Sequence, residues 1–231
     1  MTHYTYLFIN IAIILIPLLF TFYPTVYYYK KFKPVLLTTA IICIPFIIKD
    51  FIFTHFEIWS FNPVRITGQY LLNLPIEEIL FFITVPYSTI FIYECCEYYF
   101  PQKTCTQQSK PKQILISIFL ISIFLTTISF FNNSKLYTVI ISLVSIPTLV
   151  TAYYQRIFTR PNYWRYILFS LIGFLTINFL LTSFPVVEYN PIHILNIRIT
   201  TIPIEDFLYF WNMNTLIIVC YILIKNKWQR K

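Results

Sequence analysis

Seven apolar stretches, each long enough to cross ~30 Å of hydrocarbon as a helix, constrain this chain more than any other feature. They run over Tyr4–Tyr28, Pro34–His55, Pro75–Tyr93, Ile114–Phe131, Tyr137–Tyr154, Tyr166–Phe184 and Pro203–Ile224. Only 11% of the 231 residues are charged and 58% are hydrophobic, with a mean hydropathy of +0.68. A soluble domain of this length would need far more charge to cover its surface. The expectation is an all-α integral membrane protein with seven transmembrane helices. The first stretch has no basic n-region and no small-residue cleavage site, so it reads as a retained helix and not as a signal peptide.

A net charge of +8 suggests a nucleic-acid partner only until its distribution is seen. The basic residues sit in short tracts between the apolar runs: Lys30, Lys31 and Lys33; Lys103, Lys110 and Lys112; Arg156, Arg160 and Arg165; and Lys225, Lys227, Arg230 and Lys231. With seven spans these tracts, 13 of the 17 Lys and Arg, fall on one side of the membrane. The positive-inside rule then places the N-terminus outside and the C-terminus in the cytoplasm of a multi-pass protein of the inner or cell membrane. Tyr27, Tyr28, Tyr29, Trp59, Tyr98, Tyr99, Tyr163, Trp164 and Trp228 cluster near the helix ends, as interfacial aromatic belts do. The two glycines, Gly68 and Gly173, cannot build a dinucleotide turn or a phosphate cradle. Cys43, Cys95, Cys96, Cys105 and Cys220 lack C-x-x-C spacing and paired His ligands, so neither a metal site nor a disulfide framework is expected.

The chain also resembles itself. NPVRITGQYLLNLPIEEILFF, starting at Asn62, aligns without a gap on NPIHILNIRITTIPIEDFLYF, starting at Asn190. Asn-Pro and Pro-Ile-Glu fall in the same register, which abundant Ile and Phe do not produce by chance. Glu78 matches Asp206 and Phe81 matches Tyr209, so chemistry is kept where identity is not. The reading is a parallel three-plus-one-plus-three repeat. Residues 1–100 form a first three-helix unit, 101–134 a linker carrying an inserted fourth helix, and 135–231 a second unit. The inserted helix restores parallel orientation, so both motifs emerge on the outer side.

Pro75-Ile76-Glu77-Glu78 and Pro203-Ile204-Glu205-Asp206 suit a helix start, where proline fits the first turn and acids face the positive end of the dipole. Capping explains one such motif. It explains two matched sites less well, since these are four of only nine acids in the chain and intramembrane acids are functional candidates. Helical spacing puts Glu77 beneath Phe81 and Glu78 beneath Phe82, with Glu205 and Asp206 beneath Tyr209 and Phe210. If the halves face each other, carboxyls and aromatic faces converge on one pocket. Crowded acids in an apolar site leave one protonated at neutral pH and its neighbours ionised. Such a site can protonate a carbon–carbon double bond, stabilise the cation by ring faces and carboxylates, and remove a proton.

Around the motifs, Asn62 and Asn190 start turns and are candidates for bonding a motif carboxyl or the substrate. Arg65 and His193 are equivalent positions that read as interfacial charges or as partners of the acids. Lys49-Asp50, late in the second stretch, reads as a local ion pair or a snorkelling lysine, with Asp50, aligned on Asn178, a candidate pocket residue. Pro17, Pro45, Pro86 and Pro147 fall inside expected helices and imply kinks.

The NPxxI…PIEE/D…FF pair in a seven-helix chain resembles the membrane lycopene cyclases, which include heterodimeric bacterial, fused archaeal and fungal cyclase-domain forms. The layout covers nearly the whole chain; the specific residues lie in the two aligned segments. The resemblance implies cofactor-independent conversion of the linear ends of lycopene to β-ionone rings, through γ-carotene to β-carotene. It carries the motif roles onto Pro75, Glu77, Glu78 and Phe82, and onto Pro203, Glu205, Asp206 and Phe210. Glu77 or Glu205 is then expected to protonate the terminal double bond and Glu78 or Asp206 to take the final proton, with Phe81, Phe82, Tyr209 and Phe210 around the substrate. The implied partners are a lipophilic polyene, membrane lipid and other carotenoid-pathway enzymes, with no nucleic acid. A small three-one-three transporter and a non-catalytic pathway scaffold are the competing readings.

Overall fold

The computed structural model describes residues 3–24, 26–101 and 135–229. Among them are six helices: α1 (Thr5–Phe20), α2 (Phe32–His55), α3 (Ile76–Tyr99), α4 (Leu136–Tyr154), α5 (Pro161–Ser183) and α6 (Ile204–Gln229). Five are long and apolar enough to cross a membrane, while α1 is apolar but shorter at 16 residues. The chain is thus an all-helical, multi-pass membrane protein. The fourth apolar stretch, Ile114–Phe131, and with it nearly all of the 101–134 linker, lies outside the described residues. The first helix stops well before the expected Tyr28, short of Pro24, which cannot continue a helix. A 3-10 turn over Tyr28–Lys31 then leads into α2. Pro17, Pro45, Pro86 and Pro147 do lie within helices.

Short strands organise one end of the bundle. β1 (Trp59–Phe61) follows α2, and β2 (Tyr70–Leu71) and β3 (Leu74–Pro75) form a hairpin that delivers the chain to α3. β4 (Val187–Tyr189), β5 (Arg198–Ile199) and β6 (Ile202–Pro203) do the same between α5 and α6. Each strand of the second set, and the start of α6, sits where the register of Asn62 on Asn190 carries the first set and the start of α3. The cap bonds repeat as well: Ile58 N–H donates to the Phe53 carbonyl at 2.9 Å, and Val186 N–H to that of Leu181 at 2.8 Å, the reach-back bond of a Schellman stop. Gly68 takes φ +80° and its counterpart Asn196 φ +61°, the two residue types that tolerate the left-handed region best. β1 pairs antiparallel with β4 so that Ser60 faces Glu188, its own counterpart, and the flanking pairs exchange under the same alignment. That ladder ties the loop after α2 to the loop after α5.

The helix packing is not equally tight in the two halves. α2 lies closely on α3, whereas α5 stands away from α6 over most of its length. A cavity occupies the gap beside α5. Buried side chains fill the remainder in two clusters. One, near the strands, includes Phe53, Trp59, Leu74 and Ile194. The other, toward the opposite helix ends, includes Tyr28, Tyr93, Tyr163, Tyr166 and Tyr221.

Candidate active site

The cavity has a volume of about 580 Å³. Along α3 its lining runs from Glu78 to Ile92, a length of ~21 Å at the helical rise. At the strand end stand Glu78 and Asp206 with the rings of Tyr6, Trp59, Phe61, Phe81, Tyr137, Tyr189, Tyr209 and Phe210. Ala12 and Ile16 of α1 and Gly173 and Thr176 of α5 line the cavity and are also exposed on the outer face. Among the described residues, the cavity therefore opens sideways between α1 and α5, toward the hydrocarbon of a membrane.

Pro75 and Pro203, in extended backbone at the ends of their hairpins, aim the first turns of α3 and α6. The two acids of each motif then point to different places. The Glu78 carboxyl accepts the Tyr6 hydroxyl from α1. Asp206 accepts Tyr137 Oη at 2.7 Å on Oδ1, and Asn178 Nδ2 at 2.8 Å and Tyr189 Oη at 2.7 Å on Oδ2. Burial, and after it the Asp206 carboxylate, push the Tyr189 phenol above its ordinary range, which keeps it a donor. Glu78, Tyr209 and Asp206 line the same cavity, which places the two acids at one site.

Glu77 and Glu205 do not share it. Both are buried, but neither lines the cavity. Glu77 Oε1 accepts the Thr67 N–H at 2.7 Å, and Glu205 Oε1 accepts the Leu195 N–H at 2.6 Å and Thr138 Oγ1 at 2.8 Å. Successive residues at a helix start are ~100° apart around the axis, so one acid of each motif faces the loop that packs above it and the next faces inward. The expected convergence of four carboxyls is thereby corrected to two. Glu205→Ala removes the acceptor shared by the Leu195 amide and the Thr138 hydroxyl and is expected to cost about 1–3 kcal/mol of stability. A thermal melt of the purified protein in detergent checks this.

Other expected site residues sort in the same way. Phe81, Tyr209 and Phe210 line the cavity; Phe82 is fully buried outside it, with its ring 5.9 Å from that of Phe46. Asn62 and Asn190 also lie off the cavity. Each closes a turn through its side chain, onto Val64 N–H at 3.0 Å and Ile192 N–H at 3.1 Å. Their amides donate to Glu188 Oε1 and to the Glu57 carbonyl, not to a motif carboxyl. The carbonyls of Arg65 and His193 receive the N–H groups of Tyr6 and Tyr137 and so set the first turns of α1 and α4. Lys49 is no snorkelling lysine. Its ammonium lies 2.6 Å from Asp50 Oδ1, 4.2 Å from the Tyr209 ring centre and 4.5 Å from that of Trp59, an ion pair capped by cation–π contacts. Asp50 is fully buried and lies outside the cavity, on the Glu78 side, where the two carboxyls interact electrostatically.

The tyrosines that hold the acids were not evident from the motifs. Tyr6 and Tyr137 make matching bonds to Glu78 and Asp206. The register that sets Asn62 on Asn190 sets Tyr6 on Ser134, so an alignment without gaps passes over the pair. A tyrosine in the first turn of each unit's first helix was the available signal.

A family model described as Lycopene cyclase matches residues 3–96 and 133–224 of the chain. Both matched segments carry one of the acid motifs, and together they take in most of the sequence. No curated protein and no solved structure matches it.

Proposed function

The chain belongs to the lycopene cyclase family, and on that premise we propose that it closes the linear end group of lycopene to a β-ionone ring by acid catalysis. The observation that carries this reading is the meeting of Glu78 and Asp206, one from each half, in an aromatic-lined apolar cavity that opens sideways. The ~21 Å length of that cavity suits an end group at the acids with its polyene tail trailing toward α1 and α5. Protonation of the terminal double bond gives a tertiary cation. The neighbouring double bond attacks it and closes a six-membered ring, and loss of a proton sets the ring double bond. The faces of Trp59, Phe81, Tyr209 and Phe210 stabilise positive charge along this path, and the surrounding apolar wall keeps water from quenching it. Electrons and atoms balance without an oxidant or reductant. Glu77 and Glu205 hold the loops that carry the acids in place.

The matching hydrogen bonds at equivalent positions of the two halves favour an internal repeat of three-helix units, and a span at Ile114–Phe131 would give the parallel three-one-three, seven-helix arrangement. The basic tracts then put the N-terminus outside. Expression in a bacterium that accumulates lycopene, followed by chromatography of the pigments, tests the function. Conversion to γ- or β-carotene is the expected result. Unchanged lycopene beside abundant, folded protein would overturn it.

A further inference from the structure

The two motif acids occupy equivalent positions, yet their surroundings differ in kind. Behind Glu78 stands a second carboxyl, Asp50, completely buried, with no N–H or O–H donor among the described residues aligned on either of its oxygens. Lys49 at 2.6 Å supplies charge to Asp50 without a well-directed hydrogen bond. A buried carboxyl with no donor can be satisfied by the neighbouring carboxyl only if the two share a proton, because an ionised carboxylate has nothing to donate. One proton on the pair satisfies Asp50 and, with Lys49, makes the buried trio neutral. Neutrality matters in a site this apolar, where an unpaired charge is costly.

Across the cavity the position equivalent to Asp50 is Asn178, and that of Lys49 is Ile177. Asp206 there receives three neutral donors, Tyr137, Tyr189 and Asn178, all within 2.8 Å. Three donors leave Asp206 equipped to accept, and a proton placed on it would displace one of those bonds. The α2 side, where Asp50 sits, is closely packed, while the α5 side is open to the cavity.

We propose that the matched acids divide the chemistry: Glu78, backed by Asp50, delivers the proton that starts cyclisation, and Asp206 removes the proton that ends it. This rests on the cyclisation reading and deepens it. The Glu78 O–H bond breaks as a C–H bond forms on the terminal double bond. The electron pair of the neighbouring double bond becomes the new ring bond and leaves the cation on a ring carbon. Asp206 then takes a proton from the carbon beside that cation, and the released C–H pair becomes the ring double bond. Lys49 and Asp50 touch no substrate; they position Glu78 and hold its proton.

Deuterated buffer separates the two roles. Membranes carrying each variant are supplied with lycopene, and products and recovered substrate are analysed by mass spectrometry at matched protein abundance. Wild type is expected to place one deuterium in each ring. Glu78→Gln should return unlabelled lycopene. Asp206→Asn should return lycopene that carries deuterium, or rings with a displaced double bond, since the cation still forms and then loses a proton elsewhere; Asp206→Glu should keep ring formation. Asp50→Asn should lower turnover by ~10- to 100-fold with little change in KM, as misplacement of a catalytic group does, and Asp50→Glu should restore most of it. Unlabelled lycopene from both Glu78→Gln and Asp206→Asn, or label appearing with the former alone, would overturn the division of roles. Wild-type turnover in Asp50→Asn would remove Asp50 from it. Failure of the cyclisation reading is distinct, since wild type itself would then yield neither ring nor label.

Discussion

Glu78→Gln and Asp206→Asn are each expected to reduce formation of the β-ionone ring by ~10²–10⁴-fold, the usual contribution of a positioned proton donor or acceptor, with the protein still present in the membrane. Both changes keep the size of the side chain and leave one amide oxygen that can accept from a neighbour. Tyr6 can still donate to the amide oxygen of a glutamine at 78, and Tyr137 to that of an asparagine at 206. What disappears is the transferable proton on one side and the negative charge on the other. The contrasting control is Phe82→Leu, a change in a buried ring outside the cavity, which should act through packing and therefore on abundance. Pigment chromatography normalised to protein in the membrane distinguishes the two outcomes. Equal loss of ring formation per molecule in Phe82→Leu would mean that the cavity lining is wrongly drawn.

How much of this was legible beforehand varies from residue to residue. Helix positions followed from hydropathy because lipid demands long uninterrupted apolar runs. The ends of α2 and α4 fell where expected, while α1 stopped early because the chain turns near Pro24. The motif prolines marked the starts of α3 and α6 to within one residue, standing in extended backbone just before the first turn where the sequence placed them. Direction around the helix was harder. Glu77 and Glu78 are equally acidic and adjacent, and only the tertiary packing of the loop at Thr67 on one side and of α1 on the other decides which acid faces the cavity. The ladder between β1 and β4 was invisible because such short strands, flanked by aromatic helix ends, carry no usable alternation. The partners of the acids come from α1, α4, α5 and β4, between 17 and 72 residues away in sequence, and no motif spacing encodes them.

Charge pairing at the opposite end of the bundle was equally hidden, and it carries the second large expected effect. Lys31 and Lys225 belong to tracts that a topology argument treats as membrane-side charge, yet both ammoniums bind the Glu94 carboxylate, which is buried to 1% exposure on α3. Tyr221 adds a hydrogen bond to the same carboxylate at 2.7 Å. One acid thus joins the 3-10 turn before α2, the last turns of α3 and the last helix. Glu94→Gln removes the only negative charge of this trio and leaves two part-exposed ammoniums without their counter-charge. The expected cost is ~3–5 kcal/mol, read as a fall on the order of 10 °C in the melting temperature of the detergent-solubilised protein. The physical cause can be isolated by removing the charges as well. Glu94→Gln combined with Lys31→Met and Lys225→Met should recover most of the loss, because replacing a buried ion cluster by apolar groups of similar volume is close to neutral. If the triple variant melts as low as the single one, packing of the Glu94 stem and not charge pairing holds the three elements together. An unchanged melting temperature in Glu94→Gln would show that α6 is anchored by its apolar contacts through Ile217, Ile218 and Ile222 alone.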